Sequence, residues 1–296
     1  MSGRVDFHVH SNRSSDGDFS PAELVGMAAK HGLRAISIAD HDTVAAYPEA
    51  IEVGRRAGVE VIPGIEVTTV YGDREFHLLL PFVDWASPAL AGIVESQTAA
   101  RLSETRERVA KVRDLGFTLT LDEVLAKSNG APPLGVKIAQ ALLENPENRR
   151  NPALELFYRP ENDRRAPSLF YKQYFAEGGA AHVPKRFLGL LDVLAAAPAT
   201  GGAPVLAHPG AYFMRTTSED LRALRERGLV GLEAFTFYHS DEQTAFYRDL
   251  AAELDLVATA GSDFHGRIKP HVAFGALKEG DYGMVERLRA RRGGAQ

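Results

Sequence analysis

Two pairs of potential metal ligands lie near opposite ends of the chain, each next to an apolar stretch. His8 and His10 alternate with apolar residues, so on an extended strand both imidazoles point to the same face. Asp263 and His265 repeat this i, i+2 spacing just after the apolar run 256–260. Two strands that are distant in sequence and present such pairs at one edge predict a metal site at the mouth of a barrel.

Further side chains of the same types lie at or near the ends of predicted strands. They are Asp16 in the loop after the first strand, His41, Glu66, His77 on the return arm of a hairpin, and His208. Taken singly, each has a structural explanation, because His208 can be a buried, hydrogen-bonded imidazole and Glu66 a solvated strand residue. The chain has no cysteine, so any metal would have to be held by nitrogen and oxygen ligands.

Alternating strands and helices are predicted to position these side chains. Ser20, Pro21 and Glu23 open a helix as N-cap, first residue and capping-box partner. Strands are then expected over 33–39 and 59–62, with a helix over 47–57 between them and a hairpin of strands 65–70 and 75–80 after them. Repeated βα units of this length predict a parallel barrel or a doubly wound sheet.

The pattern changes at about residue 84. Helices are predicted over 88–114, 121–127 and 135–143, and residues 145–167 are rich in Pro, Asn and Arg. Alternation then returns with helices over 187–197, 218–227 and 241–253 and strands over 203–207, 230–235 and 256–260. This organisation predicts a barrel domain formed by residues 1–84 and 186–296 and a helical insertion over residues 85–185.

Composition sets limits on the class of protein. The 296 residues are 45% apolar and 25% charged, and 34 basic against 39 acidic residues give a net charge of -5. A net acidic chain argues against binding of long nucleic acid, although a local basic patch could still bind it. The sequence has no apolar run of membrane-spanning length and no signal peptide. We therefore expect a cytoplasmic protein without membrane contact.

Seven motifs occur in an order that resembles one family. They are HVH, SSDG, ADHDT, PGIEVT, the hairpin histidine, LAHPG and GSDFHG. Together they resemble the PHP (polymerase and histidinol phosphatase) family, and more closely its nucleotide-phosphatase branch with an inserted helical domain. The resemblance covers residues 4–82 and 187–275 and implies a distorted (β/α)7, TIM-like barrel with a helical insertion.

The resemblance also implies a trinuclear metal centre. Three divalent ions are expected, with Mn²⁺ first and Zn²⁺ or Fe²⁺ as alternatives. The first ion would be held by His8, His10, Glu66 and Asp263. Glu66 would bridge to a second ion held by His77 and His208. The third ion would be held by Asp16, His41 and His265.

The chemistry of this ligand set agrees with a phosphoesterase. Nine oxygen and nitrogen ligands without a thiolate suit hard and borderline divalent ions. Such ions concentrate positive charge where a phosphate dianion must bind. A hydroxide that bridges two of them at neutral pH would attack phosphorus, so no protein nucleophile is needed.

Substrate contacts are less well defined by the sequence. Arg13 lies between two candidate ligands, and its alternative is a solvated loop arginine. In relatives a histidine at the position of His239 approaches the phosphate, so His239 is expected to contact substrate or to act as general acid. Relatives often carry Arg-Pro-His before a helix of the insertion, where this chain has Lys137 at the position of the histidine. Lys137 could bind phosphate as a point charge. The arginines and aromatic residues of 149–175 allow either base stacking or a packed, solvated helical unit.

These observations favour hydrolysis of a phosphomonoester of a small phosphorylated molecule, with a nucleotide monophosphate or 3′,5′-bisphosphate as the first expectation. The alternatives are a 5′-3′ exonuclease on short oligonucleotides and a cyclic phosphodiesterase. A non-catalytic PHP module is disfavoured by the complete ligand set. An amidohydrolase acting on a C–N bond normally has a lysine bridge, and Glu66 fills that place here.

Overall fold

Eight strands in two sheets form the centre of the protein. The computed structural model describes residues 3–128, 130–211, 214, 216–277 and 279–292. Its strands are β1 (Arg4–Val9), β2 (Leu33–Ile38), β3 (Glu60–Val61), β4 (Glu66–Tyr71), β5 (Arg74–Leu79), β6 (Val205–Leu206), β7 (Gly231–Thr236) and β8 (Val257–Gly261). The predicted mixed α/β class is confirmed.

Strand pairing is parallel except around the hairpin. One sheet has the order β1-β2-β3, and the other has the order β4-β5-β6-β7-β8. Only the β4–β5 and β5–β6 pairs are antiparallel among these neighbours. Single parallel bridge pairs connect the sheets at both edges, between Val9 and Phe264 and between His41 and Glu66. Glu66 therefore lies where the chain leaves the first sheet and enters the second.

The described residues also form ten α-helices. They are α1 (Pro21–Lys30), α2 (Tyr47–Ala57), α3 (Pro88–Asp114), α4 (Leu121–Ala126), α5 (Gly135–Glu144), α6 (Ala166–Phe170), α7 (Leu190–Thr200), α8 (Ser218–Glu226), α9 (Asp241–Glu253) and α10 (Gly283–Arg291). The predicted capping box of α1 is present between Ser20 and Glu23. In the described part of the chain, no helix has the length and apolar character needed to cross a membrane.

The hairpin places His77 beside β4. The two strands pair so that Thr68 faces His77 and Tyr71 faces Arg74. Gly72 in the two-residue turn has φ of 65°, a conformation that glycine adopts without strain. The predicted hairpin is thus confirmed, with each strand shifted by one residue.

The helices that follow α3 pack around a hydrophobic cluster of their own. It extends from Val109 on α3 to Ala181 and includes Phe157 and Phe170, both essentially fully buried. Residues 145–167 are not an open loop, because three 3-10 helices occupy Pro146–Arg150, Pro152–Tyr158 and Pro160–Asn162. Asn145 and Asn151 cap the first two of them with their side chains, which explains how an Asn- and Pro-rich stretch becomes regular.

The helix expected over 187–197 is instead α7, shifted by three residues. The backbone N–H of Leu188 donates to the Gln97 side chain on α3, and Gly189 pairs with Val70 on β4. This segment is therefore extended until Gly189, which is the N-cap of α7. Tertiary contacts override the local helical pattern here.

Candidate metal centre

Four buried side chains converge where β1, β4 and β8 meet. The Nε2 atoms of His8 and His10 are 3.1 Å apart, and each lies 3.2 Å from Glu66 Oε2. Asp263 Oδ1 lies 3.3 Å from His8 Nε2 and 3.1 Å from His10 Nε2. Ligands about 2.1 Å from one ion lie about 3.0–3.4 Å from each other in octahedral and tetrahedral sites. The four atoms thus have the spacing of a coordination shell around a single cation.

The two oxygens of Glu66 face different groups of histidines. Besides His8 and His10, Oε2 lies 3.2 Å from His41 Nδ1. Oε1 lies 2.8 Å from His77 Nδ1 and 3.3 Å from His208 Nε2. This arrangement is suited to a carboxylate that bridges two cations.

A third group lies on the other side of His10. Asp16 Oδ2 is 3.0 Å from His265 Nε2 and 3.6 Å from His41 Nε2. The rings of His10 and His265 stack with centroids 3.9 Å apart. The structure thus brings together all nine side chains that the sequence singled out, here named the Glu66 cluster: His8, His10, Asp16, His41, Glu66, His77, His208, Asp263 and His265.

Sharp backbone turns present part of this cluster. His208 and Asp263 have φ of 26° and 55°, and Asp42, next to His41, has φ of 56°. Positive φ is uncommon for residues other than glycine and concentrates at functional sites. His208 and Asp263 lie two residues after the ends of β6 and β8, and Asp42 lies four residues after the end of β2.

The cluster has the chemistry of a cation site. Glu66 Oε2 and Asp263 Oδ1 are buried and accept no hydrogen bond within the described residues. Buried acceptors without donors are costly, and a cation satisfies them. All candidate ligand atoms are oxygen or nitrogen, which divalent Mn, Zn and Fe ions accept.

Two imidazoles of the cluster have raised pKa values. Burial lowers the pKa of His10, but the neighbouring carboxylates of Asp263 and Glu66 outweigh it and raise that pKa to about 9. Burial is likewise outweighed at His77, where the charge of Glu66 raises the pKa to about 10. Protons on these imidazoles stand in for positive charge that metal ions would supply, so metal binding would release protons.

The comparisons with known proteins agree with this geometry. A model of the PHP domain matches residues 6–113. The phosphoribosyl 1,2-cyclic phosphate 1,2-diphosphodiesterase of Eggerthella lenta is 30% identical over 274 residues, which cover 91% of this chain and 97% of the relative. The chain belongs to the PHP family.

Other PHP relatives are named for different reactions. A 5′-3′ exoribonuclease of Haemophilus influenzae is 29% identical over 271 residues, with 90% of this chain and 91% of the relative covered. A 3′,5′-nucleoside bisphosphate phosphatase of Chromobacterium violaceum is 27% identical over 263 residues, with 88% and 87% covered.

A solved structure resembles this PHP protein over its full length. It is a Bifidobacterium adolescentis protein, named provisionally as a metal-dependent phosphoesterase, with a TM-score of 0.84 and 29% identity. The match covers 100% of this chain and 98% of the other. With its clustered ligands, this PHP protein is a metal-dependent phosphoesterase, that is, a hydrolase acting on phosphoester bonds.

The three residues expected to contact substrate lie outside the cluster. Arg13 forms an ion pair with Glu49 at 2.7 Å and its side chain is 45% exposed. Lys137 Nζ lies 3.1 Å from the Gln140 side chain. His239 is buried, and its Nδ1 and Nε2 contact the backbone at Ala234 O and Gly210 N, each at 2.9 Å. Their roles toward substrate remain predictions.

Sequence reasoning missed Lys269 and Glu233, which contact the cluster directly. Lys269 lies with Nζ 2.5 Å from Asp263 Oδ2 and 2.8 Å from the Tyr238 hydroxyl. Glu233 on β7 is fully buried; Oε1 lies 3.0 Å from His8 Nδ1, and Oε2 accepts the backbone N–H of His208 at 2.8 Å. Glu233 lies in an otherwise apolar strand. The available sequence signal was the alternation of side chains between the two faces of β7.

A second buried polar group joins the cluster to α3. We name it the Arg108 network, formed by Asp42, Glu75, Arg101, Glu104, Arg108 and Lys185. Glu75 links the two groups, because its Oε1 lies 3.0 Å from His77 Nε2 and its Oε2 lies 3.0 Å from Lys185 Nζ. A helical charge pattern on α3 was the available signal, but it also fits a solvated helix.

A cavity of about 170 Å³ lies between the two groups. Asp16, His41 and His77 line it on the side of the Glu66 cluster. Arg108 and Lys185 line it on the side of the Arg108 network. A molecule in this cavity would contact both groups at once.

Proposed function

We propose that this protein hydrolyses a phosphomonoester of a small phosphorylated molecule, with a nucleotide monophosphate or 3′,5′-bisphosphate as the substrate class. One observation carries the proposal: the Glu66 cluster opens into a small cavity whose opposite wall carries arginine and lysine side chains. A phosphate ester has the charge and the size to lie between them.

Metal ligation is part of this proposal. The nine side chains of the Glu66 cluster would hold three divalent ions, with Glu66 as the bridge. Mn²⁺ is the expected ion. When bound, such ions lower the pKa of a water molecule to about 7, which makes it a hydroxide nucleophile, and neutralise charge on phosphoryl oxygens. The spacing of 3.1–3.3 Å among four of the donor atoms supports the first of these sites.

The protein's own side chains have distinct tasks in this scheme. Glu233 orients the imidazole of His8 through Nδ1 and fixes the backbone at His208. Lys269 lines the cavity beside Asp263 and is positioned to contact a phosphoryl oxygen. Arg13, Lys137 and His239 stay candidates for substrate contacts, although each has a protein partner in this structure.

The same proposal extends to the architecture. A distorted (β/α)7 barrel is supported by the bridge pairs that connect the two sheets at both edges. Residues 85–185 would form the insertion that sets substrate specificity, and residues 1–84 and 186–296 the barrel domain. The separate hydrophobic cluster from Val109 to Ala181 supports this division.

Two related activities are the second candidates. The Eggerthella lenta relative, aligned over 97% of its length, favours a cyclic phosphodiesterase. The Haemophilus influenzae relative favours a 5′-3′ exonuclease on short oligonucleotides. The small cavity favours a compact substrate over a long strand.

Phosphate release from a panel of compounds by Mn²⁺-reconstituted protein tests the proposal. The panel holds nucleoside monophosphates, 3′,5′-bisphosphates, cyclic phosphates, sugar phosphates and short oligonucleotides. We expect the largest kcat/KM for a phosphorylated nucleotide. Cleavage of cyclic phosphates or oligonucleotides alone would replace the proposed substrate class by the second candidates. Silence across the panel with metal bound would contradict phosphoester hydrolysis.

A further inference from the structure

Arg108 is an unusual buried arginine. It is the largest fully buried side chain among the described residues, with 0% of its surface exposed. Its Nη2 lies 3.0 Å from Glu104 Oε1, but none of the three guanidinium nitrogens makes a well-directed hydrogen bond within the described residues. A buried guanidinium with open donors is costly, so an acceptor that complements it is expected at this position.

Two aromatic rings and a glycine surround the Arg108 guanidinium. Tyr171 and Phe175 hold their ring centroids 5.4 Å and 4.9 Å from Arg108 Cζ, which supports the cation through the ring faces. A Cβ atom on Gly135 would lie 2.6 Å from Arg108 Nη1 and 2.5 Å from a ring carbon of Tyr171. A side chain at position 135 would therefore have to displace Arg108 or Tyr171.

The nearby carboxylates do not satisfy Arg108. Glu104 is shared by three cations, with Lys185 at 3.1 Å and Arg101 at 3.5 Å in addition to Arg108. Arg101 has Asp42 as a second partner at 2.8 Å, and Lys185 has Glu75. Arg108 has no second carboxylate among the described residues, and it is one of the residues that line the cavity together with Asp16, His41 and His77 of the Glu66 cluster.

We propose that Arg108, assisted by Lys185, forms a subsite for a second phosphate-type anion of the substrate whose scissile phosphate lies at the Glu66 cluster. This inference rests on the proposed phosphoesterase function and narrows it to bisphosphorylated small molecules. A guanidinium with open donors binds phosphate oxygens through charge-assisted hydrogen bonds, and each such bond contributes about 1.5–3 kcal/mol. That range corresponds to about 10- to 150-fold in kcat/KM.

Steady-state kinetics of Arg108→Gln provide the test. We expect wild type to prefer adenosine 3′,5′-bisphosphate over AMP and Arg108→Gln to lower the ratio of their kcat/KM values at least 10-fold, chiefly through KM. Arg106→Gln is the matched control, because Arg106 lies on the same helix and is exposed. It should leave the ratio unchanged. An unchanged ratio in folded Arg108→Gln, or equal losses for both substrates, overturns the subsite.

The fold should tolerate Arg108→Gln, since Glu104 retains two cationic partners. Gly135→Ala is a second variant that keeps every charge and displaces Arg108 instead. It should lower the same ratio, and an unchanged ratio in both variants again overturns the subsite.

A binding measurement separates this inference from the proposed function. Calorimetry with metal-free protein and adenosine 3′,5′-bisphosphate reports the subsite without turnover. Wild type should bind the compound at least 10-fold more tightly than Arg108→Gln. If no substrate of the panel is hydrolysed but this difference is found, the proposed function fails and the anion subsite stands. Equal or absent binding in both proteins overturns the subsite, whatever the activity.

Discussion

The Glu66 cluster and the Arg108 network are both buried and polar, but they differ in which atoms lack a hydrogen-bond partner. The Glu66 cluster has three carboxylates and six imidazoles, and its acceptors Glu66 Oε2 and Asp263 Oδ1 have no donor among the described residues. The Arg108 network balances three cations against three carboxylates. Its open atoms among the described residues are the three guanidinium nitrogens of Arg108 and Glu104 Oε1, which lies 3.0 Å from Arg108 Nη2.

The atoms without hydrogen-bond partners, more than the net charge, indicate what each group binds. Open acceptors in the first group fit cations, and open donors in the second fit an anion. A substrate phosphate between the two groups would interact with both, because bound metal ions and the Arg108 guanidinium both attract anions. Each prediction below perturbs one side of this comparison.

The largest effect is expected on the cation side. Asp263→Ala should lower phosphate release at least about 1,000-fold, as should His10→Ala, because each removes an atom from the four-ligand convergence. Metal content and circular dichroism should show lost metal with a retained fold. Asp249→Ala, at an exposed aspartate, is the control and should keep full activity. Undiminished turnover by fully demetallated Asp263→Ala would refute the ligand assignment.

Arg101→Met tests the anion side through stability. It leaves Asp42 buried without the guanidinium 2.8 Å away, so we expect about 3 kcal/mol less unfolding free energy. Urea denaturation measures this, with exposed Arg106→Met as a control that should stay within about 0.5 kcal/mol of wild type. The double variant Asp42→Asn, Arg101→Met should regain most of the loss. An Arg101→Met protein as stable as wild type would show that the buried Asp42–Arg101 pair does not contribute to the unfolding free energy.

Glu233→Gln should have an intermediate effect on the cation side. The amide keeps the shape of the contact with His8 Nδ1 but removes the charge that orients the imidazole. Partners of this kind contribute about 10- to 100-fold to metal affinity. Titration with Mn²⁺ measures the dissociation constant, and exposed Glu226→Gln is the matched control. Equal Mn²⁺ affinity in Glu233→Gln and wild type would remove Glu233 from the metal centre.

The smallest effect is expected at an ion pair outside both groups. Hydrogen bonding to Arg74, at 2.6 Å, lowers the pKa of Asp220 from 3.8 to about 2. A lowered folded-state pKa adds stability above pH 4 that is lost as pH falls from about 4 to 2. After allowance for partial exposure, we expect about 1 kcal/mol. Unfolding free energies of wild type and Asp220→Asn should differ at pH 6 and converge at pH 2; parallel curves would contradict this.

The two groups also differ in what the sequence could predict. All nine members of the Glu66 cluster were found because they follow or lie on short apolar strands, where parallel strands bring their ends together. The hairpin at Gly72 and the capping box of α1 were predictable for the same reason, since local residues determine them.

The Arg108 network could not be predicted, because its contacts join distant segments. Lys185 pairs with Glu75 on the hairpin, and Arg101 on α3 reaches Asp42 after β2. The helical spacing of Arg101 and Arg108 alone also fits solvated residues. Segments that are distant in sequence surround them, with Asp42 and Phe187 at Arg101 and Tyr171 and Phe175 at Arg108. Lys137, expected in the site from its position in the sequence, instead contacts Gln140 on its own helix.

Anomalous diffraction from crystals grown with Mn²⁺ tests the central claim most directly. We predict peaks within coordination distance of Glu66, one among His8, His10 and Asp263 and another toward His77. A third peak among Asp16, His41 and His265 would complete the trinuclear centre. Well-occupied Mn²⁺ elsewhere in the protein with none beside Glu66 would contradict the account.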